Sequence, residues 1–129
     1  MSIGINGLGR IGRLVIRDFF GGTNRKFNTP NFEIIHLNDP HCDAETLCHL
    51  LKYDSVHGIW DASINTLGHD RISINGNELK LTNFFNPSDL DWGYSNCNIA
   101  LDCTGKFLSK EKLQGYFDND IQKVIVSAP

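Results

Sequence analysis

The 129-residue sequence contains no Cys-x-x-Cys pair, no His-Glu-x-x-His motif and no His/Cys cluster with zinc-ligand spacing. Its four cysteines, Cys42, Cys48, Cys97 and Cys103, therefore read as reduced thiols, not as a disulfide framework or a metal site. It has no apolar run long enough to cross a bilayer. Met1 leads straight into a strand-like stretch without the charged and apolar regions of an export signal, so a cytoplasmic location is the expectation. Positive charge is not in excess. Twelve Lys and Arg stand against fifteen Asp and Glu, a formal charge of -3, which removes any general attraction for nucleic acid or anionic lipid. Internal repeats and low-complexity segments are absent too. What is left, 40% hydrophobic and 21% charged, is the balance of one globular domain with a modest core.

Along the chain, short apolar runs alternate with helical spacing. SIGIN at 2–6 reads as a strand stopped by Asn6-Gly7, followed by a helix with Ile11, Leu14 and Val15 on its apolar side and Gly21-Gly22 at its end. Arg10, Arg13 and Arg17, at i, i+3 and i+7, read as its solvated face, with Arg10 near the helix start. Residues 23–31 are polar, carry Pro30 and suit a surface connection. FEIIHLN at 32–38 reads as a second buried strand, and Asp43 as the cap of a helix whose Leu47, Leu50 and Leu51 share a face. Alternation in 71–74 and 79–82 around Asn75-Gly76 predicts a β-hairpin. NIALDC at 98–103, a helix capped by Ser109 and running through Phe117, and a β-branched strand at 123–127 complete the pattern. Strands separated by single helices predict an α/β fold. Its expected form is a Rossmann-like, doubly wound, mostly parallel sheet with the 56–85 hairpin inserted as an excursion.

The motif that carries chemistry is Gly7-Leu8-Gly9-Arg10-Ile11-Gly12, a GxGxxG placed between a predicted strand and a predicted helix. Gly7 serves the tight turn, Gly9 the close approach of backbone to a pyrophosphate, and Gly12 the packing of helix on sheet. N–H groups around Arg10 and Ile11, at the positive end of the helix dipole, then point at phosphate oxygens. At the end of the second predicted strand stands Asp39, placed to accept hydrogen bonds from adenosine ribose hydroxyls and to repel a 2′-phosphate, which favours NAD over NADP. The alternative for Asp39 is a turn with Pro40.

Six blocks in this order resemble the N-terminal part of glyceraldehyde-3-phosphate dehydrogenase: SIGINGLGRIGRLVIR at 2–17, LNDP at 37–40, LLKYDSVHG at 50–58, Trp92-Gly93, CTGKF at 103–107 and the closing VIVSAP. The resemblance implies that Arg10 and Ile11 contact the pyrophosphate, that Asp39 holds the adenosine ribose, and that Thr104 and Ser127 lie along the nicotinamide half. Thr104 and Ser127 follow predicted strands, on the ligand side of such a sheet, although each equally suits a helix cap or a turn. It also implies that 53–58 is a structural and subunit-contact segment, not a Ser-His-Asp site. Phe85 takes the place of the family's usual arginine near the adenine, so contact there falls to backbone or ring stacking. GKFL at 105–108 and LQGYF at 113–117 look like a branch associated with arsenate resistance.

The family's Ser-Cys-Thr-Thr-Asn block with its nucleophile is missing, and no residue here inherits a catalytic role. Residues 1–129 thus read as a truncated, incomplete NAD-binding domain without the catalytic domain. The chain is expected to bind NAD alone, and an aldehyde phosphate would enter only in a complete enzyme with phosphate or arsenate as acyl acceptor. The alternative is a non-catalytic NAD module or split-gene product that needs a partner chain. Uncovered apolar sheet surface would make the isolated chain marginally stable or self-associating, as a homo-oligomer or with that partner.

Overall fold

The computed structural model describes residues 1–21, 32–92 and 96–127; the surface connection expected at 23–31, Gly93 and the last two residues of VIVSAP lie outside them. β1 (Ser2–Asn6), α1 (Arg10–Gly21), β2 (Glu33–Asn38) and α2 (Ala44–Lys52) form the first half. A two-residue pair, β3 (Tyr53–Asp54) and β4 (Gly58–Ile59), precedes β5 (Ile64–Thr66), β6 (Arg71–Ile74) and β7 (Asn77–Thr82). After a 3-10 turn at Pro87–Asp89 come β8 (Ile99–Asp102), α3 (Lys110–Asp118) and β9 (Lys123–Val126). One sheet has the order β5-β6-β7-β2-β1-β8-β9, with β7, β2, β1, β8 and β9 all parallel. The predicted hairpin forms around Asn75 (φ 50°) and Gly76 (φ 84°), the pair of positive φ values that a two-residue type I′ turn requires. It extends the main sheet, because β7 lies parallel beside β2.

Helices cover both faces. Ile5, Leu37, Leu79 and Leu81 point to the side where Ile16 of α1 and Leu47 and Leu51 of α2 pack. On the other side Ala100 meets Trp92, Tyr116 of α3 and Ile121. Caps fall where the sequence places them: Asp43 Oδ1 accepts from Thr46 N (2.7 Å), and Ser109 Oγ accepts from Lys112 N (3.2 Å). Two expectations for α1 fail. Ile11 is exposed, and the buried residues of the helix are Gly12 and Ile16, because the glycine contact with the β1 turn sets the helix rotation. Nor is Arg17 a solvated side chain. Its Nε donates to Leu51 O (2.9 Å) and its Nη2 to Lys52 O (3.2 Å) and Gly58 O (2.7 Å), with the guanidinium 5.7 Å from the Trp60 ring centre. A cation there supplies donors to carbonyls that the end of α2 leaves open. Among the described residues no helix is long and apolar enough to cross a membrane.

Beneath the second face lies His36, buried on β2 and stacked on Trp92 with ring centres 6.2 Å apart. Its Nδ1 has no hydrogen-bond partner among the described residues. Burial, with help from Lys80, holds its pKa below the ordinary 6.5, against the opposing pull of Asp91. A histidine kept neutral in this way contributes stability above that value, and the contribution is lost as pH falls through it, because the unfolded chain binds the proton first. The melting midpoint of the parent should therefore drop further between about pH 7.5 and about pH 5.5 than that of His36→Phe. Equal drops would show that His36 is protonated as easily folded as unfolded.

Candidate functional site

From β1 the sheet grows toward β2 on one side and β8 on the other, so the carboxyl ends of these strands meet at a reversal of strand order. Open α/β sheets take ligands at such a point. A cleft of about 240 Å³ opens there, and four of the residues singled out from sequence line it: Gly7, Gly9, Asp39 and Thr104.

The three glycines are there for three different reasons. Gly7 has φ +95°, and a Cβ on it would stand 2.7 Å from the backbone of Cys103 and Thr104. A Cβ on Gly12 would stand 2.1 Å from Gly7 O, which fixes α1 against the turn. Around Gly9 nothing lies within 4 Å of that position, so its missing side chain leaves room on the cleft side for a ligand to touch backbone. Gly9 O accepts from Arg13 N (3.0 Å), which starts the helix ladder. The N–H groups of Arg10, Ile11 and Gly12 thus sit ahead of the ladder, at the positive end of the dipole.

Asp39 ties this turn to the second strand. Its Oδ2 accepts from Leu8 N and its Oδ1 from His41 N, each at 2.8 Å. It therefore makes the local turn, and each carboxylate oxygen keeps a further lone pair on the cleft side. Thr104 also shapes a turn: its N and Oγ1 donate to Asp102 Oδ1 at 2.9 and 2.7 Å, and its hydroxyl accepts from Lys106 N at 3.1 Å. Ser127 follows β9 and donates its N–H to Asp102 O (2.9 Å), outside the cleft lining. Arg10 and Ile11 are exposed and do not line it either; Arg10 Nη2 lies 3.7 Å from Asp54 Oδ1. That carboxylate accepts from Val56 N and His57 N, bonds that hold it well below the usual range. The 53–58 segment is a turn with an ion pair.

Several lining residues received no site role from sequence, among them His41, Lys106 and Phe107. Phe85, at the position where the resemblance expects an arginine, packs edge-on to His41 with ring centres 5.6 Å apart. More consequential are four buried polar residues under the cleft: Asn6, Asn38, Asp102 and Tyr116. The signal for three of them was present, since SIGIN, EIIHLN and IALD each end on a polar residue just before a turn.

No thiol here is poised as a nucleophile. Burial pushes Cys42, Cys97 and Cys103 up to about 11 and raises Cys48 as well. Among the described residues no group of three or more His, Cys, Asp or Glu could hold a metal ion.

Comparison with known proteins agrees with this geometry. The family model described as glyceraldehyde 3-phosphate dehydrogenase, NAD binding domain, matches residues 1–110. Glyceraldehyde-3-phosphate dehydrogenase 1 of Giardia intestinalis is 35% identical over 129 residues, covering 100% of this chain and 36% of that protein. Its counterpart in Geobacillus stearothermophilus is 39% identical over 129 residues, again 100% of this chain and 36% of the relative. Glyceraldehyde-3-phosphate dehydrogenase 3 of Nostoc sp. is 38% identical with the same coverage. The chain thus spans about a third of the length of these relatives, 36% in each case. With its glycine turn, its acid after β2 and its parallel sheet, the chain belongs to the NAD-binding domain family of glyceraldehyde 3-phosphate dehydrogenase, and NAD is its cofactor.

Proposed function

We propose that residues 1–129 serve as the NAD-holding segment of a phosphorylating aldehyde dehydrogenase, an incomplete domain that works with further sequence or with a partner chain. Gly7, Gly9 and Gly12 build the turn, the N–H groups of Arg10 and Ile11 meet the pyrophosphate, and Asp39 takes the adenosine ribose. Thr104 and Ser127 border the nicotinamide half. Bound NAD supplies a hydride acceptor. The segment binds and orients it, while an aldehyde phosphate and phosphate or arsenate would be handled by residues outside these 129. Raised thiol pKa values support a chain with no nucleophile of its own.

The observation that carries this reading is the vacant Cβ position of Gly9 at the start of α1, facing a cleft that Asp39 closes. An NAD titration tests it. Gly9→Ala should weaken NAD at least about tenfold while leaving the melting midpoint nearly unchanged, since the new methyl meets only ligand. Asp39→Ala should weaken NAD similarly and narrow the preference over NADP, by removing both the ribose acceptor and the charge that opposes a 2′-phosphate. Unchanged affinity in both variants would overturn the assignment.

A further inference from the structure

The last residues of four adjacent parallel strands stand side by side across the carboxyl end of the sheet: Thr82 beside Asn38, Asn38 beside Asn6, and Asn6 beside Asp102. Asn6, Asn38 and Asp102 are buried, in a layer where an unpaired polar group is costly. One side chain from outside the sheet enters this row. Tyr116, fully buried on α3, donates its O–H to Asp102 Oδ2 and accepts at the same oxygen from Asn6 Nδ2 (2.7 Å).

The bonds run in one direction. The phenol has one proton and gives it to Asp102 Oδ2, so the phenol oxygen is left to accept from Asn6. Asn6 must then present Nδ2 to Tyr116 and Oδ1 to Asn38, whose Nδ2 donates to it at 2.9 Å. Asn38 in turn donates to Phe84 O (3.0 Å) and accepts from Phe84 N (2.9 Å) and Thr82 Oγ1 (2.7 Å). At the other end, Asp102 Oδ1 holds Thr104 by two bonds. The row therefore joins the 103–107 loop to the 83–86 loop, and both loops contribute to the cleft lining.

We propose that Tyr116 is a positioning residue for the cofactor cleft, holding the loop of Thr104 and the loop of Phe84 in register through Asp102 on one side and Asn6 on the other. The ligand in this proposal rests on the NAD reading above; the mechanics rest on the row alone. Burial and the bond to Asp102 keep the phenol well above its ordinary pKa, so it stays a donor across the working range. A packing role would confine the effect of its loss to the contacts of α3. A positioning role sends the effect across three strands.

Tyr116→Phe keeps the ring and removes the oxygen. Amide exchange, measured residue by residue in the full chain, should then accelerate about tenfold or more at Thr104 and at Phe84 together, and NAD affinity should fall about tenfold. If Tyr116→Phe does not fold, Asp102→Asn alone carries the test: its amide offers a second donor to the phenol, which should turn Asn6 and speed exchange at Phe84. Faster exchange at Thr104 alone, or unchanged NAD affinity with both loops loosened, would overturn the proposal. Failure of the parent to bind NAD would instead overturn the cofactor reading, and the exchange pattern would still decide the row.

Discussion

Gly12→Ala is expected to destabilise the folded chain by roughly 3 kcal/mol, whereas Gly9→Ala, three residues earlier in the same turn, is expected to change stability by less than about 1 kcal/mol. The difference lies in what each new methyl meets. At Gly12 it would lie 2.1 Å from the carbonyl oxygen of Gly7, a backbone atom that cannot rotate away. Gly7 is itself held by its N–H on Asn38 O (2.8 Å) and by the Cys103–Thr104 backbone against its α-carbon. Relief requires α1 to lift from the sheet, which loosens the contact of Ile16 with the core. The gain in helix propensity from glycine to alanine, about 1 kcal/mol, offsets only part of this. In a chain of this size the loss corresponds to a midpoint lower by roughly 10 °C. Thermal melts of the two variants side by side check it, and a Gly12→Ala midpoint within a few degrees of the parent would refute the packing role.

That contrast also marks how far the sequence could be read. Gly7, Gly9 and Gly12 were legible because a strand-to-helix glycine turn is built from near neighbours, and spacing alone records it. The same holds for the Asn75-Gly76 turn and for the caps Asp43 and Ser109, each of which acts within three residues of itself. Asp39 was legible in part. Its place after β2 put it at the cleft and in a turn, yet its bond to Leu8 N, across 31 positions, emerges only when β1 and β2 pair. Arg17 was misread because its carbonyl partners, Leu51, Lys52 and Gly58, belong to a later helix and hairpin. Thr104 forms a turn at the cleft, with its hydroxyl bonded to Asp102 and Lys106 N, partners that appear only when β8 is in place. The polar row was the largest omission. Helical or strand periodicity reports which residues are apolar, and a buried Asn at a strand end breaks that pattern without revealing its partner.

Asn38→Leu should show the cost of that row most directly, with an expected loss of about 3 kcal/mol or more in a chain whose total stability is of the order of 5–15 kcal/mol. Leucine has the same branched heavy-atom skeleton as asparagine and by composition suits a buried strand, so hydrophobicity alone would favour it. Hydrogen bonding opposes it. The substitution leaves Phe84 N, Phe84 O, Asn6 Oδ1 and Thr82 Oγ1 each without the partner it has now. Thr82 can rotate its hydroxyl, and the Phe84 groups can reach water if the 83–86 loop peels away from the sheet. Asn6 Oδ1 has neither escape, because Asn6 is buried and its amide is held by Tyr116. An unpaired buried acceptor costs roughly 1–3 kcal/mol, and a loop that lifts to rehydrate removes Phe85 from its place against His41 in the cleft. Urea denaturation should therefore give a lower midpoint at an unchanged slope, and NAD affinity should fall with it. A loss below about 1 kcal/mol would mean that the loop rehydrates freely and that the row does not hold it.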